Sequence, residues 1–144
     1  MDTLELRFTP SAKYIRIAAQ MASTLGNILC QDIEQSSRDA DFVAHLELVV
    51  SEACTNAIKH GSKTDAGAGI IMQVILDDQA MTIKVKDANA PFDFAAIREP
   101  DLENHPEHGY GIFLMRNLMD EVHYAHENGW NCITLVKYKP CLKA

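Results

Sequence analysis

Leu4, Leu6 and Phe8 alternate with Thr3, Glu5 and Arg7, which is the two-residue period of a half-buried strand. Thr9-Pro10 interrupts the alternation, and Tyr14, Ala18, Met21, Leu25 and Ile28 then recur at helical intervals. Proline is tolerated in a first helical turn, and Thr9 or Ser11 is placed to cap it, so this stripe predicts a helix with one buried face. The polar run Gln35-Ser36-Ser37-Arg38-Asp39 reads as a loop. Asp39 or Asp41 then caps a second helix that carries Phe42, Leu46, Val49, Ala53 and Ala57 and stops at Gly61. Small and polar residues from Gly61 to Gly69 predict another loop.

β-branched residues dominate 69–76 and 81–86, and Asp77-Asp78-Gln79-Ala80 between them predicts an antiparallel hairpin. From Asp87 to His108 the chain reads as irregular, with Pro91, Pro100 and Pro106 and many acids, and irregular stretches of that length are usually functional or disordered. Gly109-Tyr110-Gly111 ends it, after which Ile112, Met115, Leu118, Met119 and Val122 have helical spacing. Strands at 122–126 and 130–138 flank Asn128-Gly129, a strong hairpin signal. The order β-α-α-β-β-loop-α-β-β predicts an α+β fold, a two-layer sandwich with helices on one face of a mainly antiparallel sheet. No repeat or linker divides it, so residues 1–144 are expected to form a single domain.

Composition narrows the class. A chain of 144 residues with 47% hydrophobic and 23% charged residues is large enough to fold without metal or disulfide staples. Its formal charge of -7 argues against a general electrostatic grip on nucleic acid or anionic lipid, so any anionic ligand is expected to be held locally, by backbone N–H groups or a metal ion. Neither a basic-then-apolar leader nor a membrane-length apolar run is present, which predicts a cytoplasmic chain with no membrane partner. Cys30, Cys54, Cys132 and Cys141 form no C-x-x-C pair and are expected to be free thiols without a role.

Three features carry chemistry. Glu52 and Asn56 are four apart on the second helix, so a carboxylate and a carboxamide share one face and could hold a hard cation such as Mg²⁺. Such a pair is equally the polar side of a solvated helix. Asp87 sits where a strand gives way to a turn, able to accept a hydrogen bond from the amino group of a base, although turn aspartates are commonly structural. Gly109 and Gly111 frame a helix start, where glycine lets a ligand approach and the first N–H groups can bind phosphate. His105-x-x-His108 lies in a proline-broken loop and His123-x-x-His126 on a strand, where residues three apart face opposite ways. Neither is read as a metal site.

In this order the features resemble the GHKL (Bergerat-fold) ATPase superfamily, and the short chain looks most like the stand-alone anti-sigma factor serine/threonine kinases of bacterial partner-switching systems. Residues 51–61 (SEACTNAIKHG) resemble the N box of that family, 85–93 (VKDANAPFD) its first glycine box and 109–122 its second. The resemblance implies an ATP- and Mg²⁺-dependent kinase acting on a serine of a STAS-type anti-sigma factor antagonist, and binding a sigma factor or other regulator. It implies Glu52 as general base, Asn56 as Mg²⁺ ligand, Asp87 as the reader of adenine, Gly109, Tyr110 and Gly111 around the phosphates, residues 94–108 as an ATP lid, and Thr134 as a second adenine contact. The family pattern Asp-x-Gly is broken here by Asn89, a residue tolerant of positive φ and thus expected to keep the turn. That departure keeps open an ATP-gated interaction module without phosphotransfer. A third reading is a trans-acting ATP-binding domain of histidine-kinase type. Sigma-binding members imply a homodimer, whereas other small relatives are monomeric.

Overall fold

In a computed structural model, residues 1–33, 41–61, 69–91, 93–96 and 110–140 are described. Strand β1 spans Asp2–Phe8 and runs, through a 3-10 turn at Ala12–Tyr14, into helix α1, Ile15–Leu29. Helix α2 spans Phe42–Gly61, strands β2 and β3 span Ile70–Leu76 and Ala80–Asp87, helix α3 spans Tyr110–Leu118, and strands β4 and β5 span Glu121–Glu127 and Trp130–Tyr138. The five strands form one antiparallel sheet in the order β1-β2-β3-β5-β4. This is the expected α+β, two-layer architecture. The loops expected at 35–39 and 62–68, His105, His108, Gly109 and Cys141 lie outside the described residues.

Strand alternation decides which side chains meet the helices. Met72 and Val74 on β2, Ile83 and Val85 on β3, and Ile133 and Leu135 on β5 are buried beneath the helical layer. Onto them α2 lowers Phe42, Leu46, Val49, Ala53 and Ala57, every one at most 2% exposed, as its sequence stripe predicts. Gly26 on α1 lets that helix approach, because a Cβ there would stand 2.5 Å from Leu46 Cδ1. The α1 stripe itself needs correction. Its buried face is Ala18, Ala19, Ala22, Leu25 and Leu29, whereas Ile28 is 47% exposed. Small alanines bring α1 close enough that the buried arc turns toward Leu29.

Helix α3 also ends earlier than the apolar spacing through Val122 suggests. The Lys137 ammonium, on the buried face of β5, donates to the Leu118 carbonyl at 2.5 Å. A cation at a helix C-terminus satisfies an orphan carbonyl and complements the helix dipole. The Asp120 N–H is diverted to Val136 O on β5 at 2.9 Å, so β4 begins there and Val122 joins the sheet. Neither capping hydroxyl expected before α1 is used through its side chain: Ser11 accepts Tyr14 N–H with its carbonyl at 3.1 Å. At the other turns the expected chemistry is present. Asp77 Oδ1 accepts the N–H groups of Gln79 and Ala80 at 2.7 and 2.9 Å, and Asn128 and Gly129 take φ of 54° and 81°.

Two outcomes follow from this packing. Gly129 has no atom within 4 Å of a built Cβ, so Gly129→Ala is a purely conformational change. It is expected to lower the unfolding free energy by about 1 kcal/mol in denaturant titration. Burial pushes the Cys54 thiol from its ordinary 9.0 up to about 12. The folded thiol resists ionisation that the unfolded chain permits, so this contribution to stability is complete below pH 9 and is lost as pH rises from about 9 to 12. Cys54→Ala is expected to flatten the stability–pH curve over that window.

Candidate nucleotide site

Asp87 is the last residue of β3 and continues the inward-facing series Met81, Ile83 and Val85, so the alternation that builds the core also delivers a carboxylate to its edge. It pairs across the sheet with Ile70 on β2 and Asn131 on β5. Its Oδ1 accepts the Asn131 amide at 2.9 Å and the Asn89 backbone N–H at 3.1 Å. No donor among the described residues reaches Oδ2. Half of a carboxylate that is only 8% exposed is thereby fixed by the protein and half is left open.

Asn89 takes a route the sequence does not foretell. Among the described residues, Asn128 is the one non-glycine residue at positive φ, so Asn89 does not replace glycine through a left-handed backbone. Its side chain works instead: Nδ2 donates to the Ala57 carbonyl at 3.2 Å and ties the turn after β3 to α2. That bond falls one residue beyond Asn56, so it also fixes the distance between Asp87 and the polar face of α2.

Glu52 and Asn56 lie on that face, half-buried, and neither side chain has a hydrogen-bond partner among the described residues. The first turn of α3 backs onto them. Gly111 is buried there, and a Cβ at its position would stand 2.8 Å from Glu52 Oε2 and 3.4 Å from Asn56 Nδ2. Hydrogen at Gly111 thus lets the first described turn of α3 approach a carboxylate and a carboxamide. Tyr110 is the first residue of that helix and 44% exposed. Phe94, which opens the stretch expected to be a lid, is held by Arg116. The guanidinium donates to Phe94 O at 2.9 Å and lies 4.6 Å from the ring centroid, and the Tyr124 ring stacks on Phe94 at 5.5 Å. Residues 97–108 of the stretch lie outside the described residues.

Thr134 is not part of this cluster. Asn131, Ile133 and Leu135 point to the helices, so Thr134 stands on the opposite face of the sheet, paired with Lys84 and beside Cys132. A side chain on that face cannot share a ligand with Asp87. The inward residue opposite Asp87 is Asn131, 1% exposed, which sequence reading missed. Its signal was present: a carboxamide occupies an inward position of an otherwise apolar alternation. The two strand histidines diverge as expected, His123 toward Glu121 at 3.1 Å and His126 toward Asn131 at 2.9 Å. No group of three or more His, Cys, Asp or Glu residues suited to a metal occurs among the described residues.

The two-layer sandwich, with a carboxylate at the sheet edge and a Glu-x-x-x-Asn helix face backed by a glycine of α3, has the fold of the GHKL-like class. Residues 12–137 match the model of the histidine kinase-like ATPase domain, and the chain belongs to that family. It is 26% identical over 145 aligned positions to the serine-protein kinase RsbW of Bacillus cereus (strain AH187), covering 95% of this chain and 85% of the relative. The serine-protein kinase RsbW of Bacillus thuringiensis subsp. konkukian (strain 97-27) matches at the same identity and coverage. A solved structure, the SiaB-SiaC complex from Pseudomonas aeruginosa, contains a chain with the same fold at a TM-score of 0.51 and 13% identity, covering 94% of this chain and 89% of that one.

Gly111→Ala tests the close approach of α3 to α2. The atom in the way is the end of a flexible side chain, so the variant is expected to fold with its unfolding free energy within about 1 kcal/mol of wild type. Displacing the Glu52 carboxylate is expected to lower any phosphate-transfer or ATP-hydrolysis rate at least tenfold, read by release or transfer of labelled phosphate.

Proposed function

We propose that the chain is an ATP-dependent protein serine kinase and anti-sigma-type regulator of a partner-switching system. In this reading it phosphorylates a serine of a STAS-type antagonist protein and also binds a sigma factor or another regulator. The observation that carries this reading is the convergence of Asp87, Glu52, Asn56 and Gly111 on the helical side of one sheet edge, in a chain of the histidine kinase-like ATPase family. The relatives named as serine-protein kinases support the choice of serine as acceptor, and their alignment runs along nearly the whole chain. Partners are expected to be proteins. The net charge of -7 disfavours nucleic acid, and no described helix is long and apolar enough to cross a membrane.

Each residue has a task that follows from its surroundings. The open Oδ2 of Asp87 would accept the 6-amino group of adenine, while its Oδ1 stays bonded to Asn131 and Asn89. Backbone N–H groups at the start of α3 would hold phosphate oxygens without a lysine, which suits an acidic chain. The donor set at Glu52 and Asn56 is hard oxygen and fits Mg²⁺, with Asn56 as its ligand. Bound there, the ion would neutralise phosphate charge. Glu52 would take the proton of the serine hydroxyl as its oxygen bonds to the γ-phosphorus and the bond to ADP breaks. Gly109 and Tyr110 would complete the phosphate end.

Incubation with Mg²⁺, ATP and a cognate STAS-type antagonist protein is expected to yield phosphoserine on that protein by mass spectrometry. Glu52→Ala is expected to lower transfer at least a hundredfold while sparing ATP binding. Asn56→Ala is expected to weaken Mg²⁺-dependent ATP binding as well as transfer. ATP binding without phosphoserine would instead identify an ATP-gated interaction module, and phosphohistidine on a helical partner would identify a trans-acting histidine-kinase type.

A further inference from the structure

Asn131, which lies outside the three sequence boxes, sits at the centre of a hydrogen-bond network. Its Nδ2 faces three oxygens: Asp87 Oδ1 at 2.9 Å and the carbonyls of Asn89 and Ala90, each at 3.1 Å. Its Oδ1 faces two groups on the neighbouring strand, the Tyr124 hydroxyl and His126 Nδ1, the latter at 2.9 Å. Chemistry allows the amide one orientation only. Turned over, it would set an oxygen against three acceptors. With Oδ1 as the shared acceptor, Tyr124 must donate its hydroxyl proton and His126 must carry its proton on Nδ1. The amide is therefore locked from the edge strand β4, through β5, onto the carboxylate at the end of β3.

We infer that Asn131 is the positioning residue for base recognition, with Tyr124 and His126 as its lock. This rests on the reading of Asp87 as the acceptor for the adenine amino group. A carboxylate held at Oδ1 by both Asn131 and the Asn89 N–H cannot rotate, so Oδ2 presents its lone pair in one direction. The same amide holds the carbonyls of Asn89 and Ala90, and Asn89 in turn reaches Ala57 on α2, so the wall of the base pocket moves with Asn131. Asn131 is 1% exposed and acts on the base through Asp87.

The discriminating experiment compares ATP with purine riboside triphosphate, which lacks the 6-amino group, by calorimetric titration. Only the ratio of the two affinities is read, because a merely structural defect weakens both ligands alike and leaves the ratio unchanged. Wild type is expected to prefer ATP about tenfold or more, the range for a hydrogen bond to a charged group whose loss leaves the carboxylate unpaired. Asn131→Ala is expected to bring the ratio to within about threefold of unity. Should Asn131→Ala not fold, the double variant Tyr124→Phe/His126→Ala removes both lock donors yet keeps the ring that stacks on Phe94. It is expected to lose at least half of the preference on a logarithmic scale. Asn131→Asp, which sets a second carboxylate against Asp87, is expected to abolish the preference. A wild type that prefers ATP while the variants retain the full ratio overturns the role of Asn131 and leaves the adenine reading standing. A wild type that binds the two nucleotides equally overturns both.

Discussion

The hydrogen bond between Asp87 and Asn131 is the constraint on which the arrangement of the site depends. It joins the ends of two antiparallel strands at the point where the apolar alternation of the core runs out, and it lies in a nearly water-excluded position. Burying a carboxylate there is unfavourable unless donors are supplied, and two reach one of its oxygens. From this pair the turn after β3 is fixed, the turn is tied to α2 through Asn89 and Ala57, and α2 sets Glu52 and Asn56 against the first turn of α3. The base end and the phosphate end of the proposed nucleotide site are thus parts of one connected network rather than independent motifs.

A chain with a net charge of -7 holds no general attraction for a polyphosphate. The site answers locally. Glycine at position 111 lets a helix start come within reach of α2, and the Cβ it lacks would collide with the very carboxylate proposed as base. The same economy appears at the other end of α3, where Lys137 is spent inside the protein on the Leu118 carbonyl rather than on a ligand. In the proposed site, positive potential near the phosphates would come from backbone N–H groups at the start of α3.

Much of the fold was legible because its signals are local and periodic. The α2 stripe from Phe42 to Ala57, the Asp77 and Asn128-Gly129 turns and the five strands depend on neighbours in sequence. What escaped depends on which neighbour wins in space. The end of α3 is set by Lys137 and Val136 on a strand nearly twenty residues later, and Ile28 is exposed because the buried arc of α1 follows its alanines. At the sheet edge, the residue that faces Asp87 across the sheet is Asn131 and not Thr134, the second adenine contact that the family resemblance implies. Thr134 and Asn131 are three apart on one strand and so face opposite ways, a parity that the alternation through Ile133 and Leu135 already encodes. Asn89 shows the converse: a residue chosen for backbone tolerance serves through its side chain.

The central claim is that ATP occupies the helical side of the sheet, between the Asp87–Asn131 pair and the start of α3. The most direct measurement is an amide chemical-shift titration of the labelled chain with Mg²⁺ and ATP. Shifts are predicted to concentrate at Glu52–Ala57, Asp87–Ala90, Tyr110–Ile112 and the amide side chain of Asn131, with Lys84 and Thr134 on the other face nearly still. Shifts gathered around Lys84 and Thr134, or none at saturating nucleotide, would contradict the account.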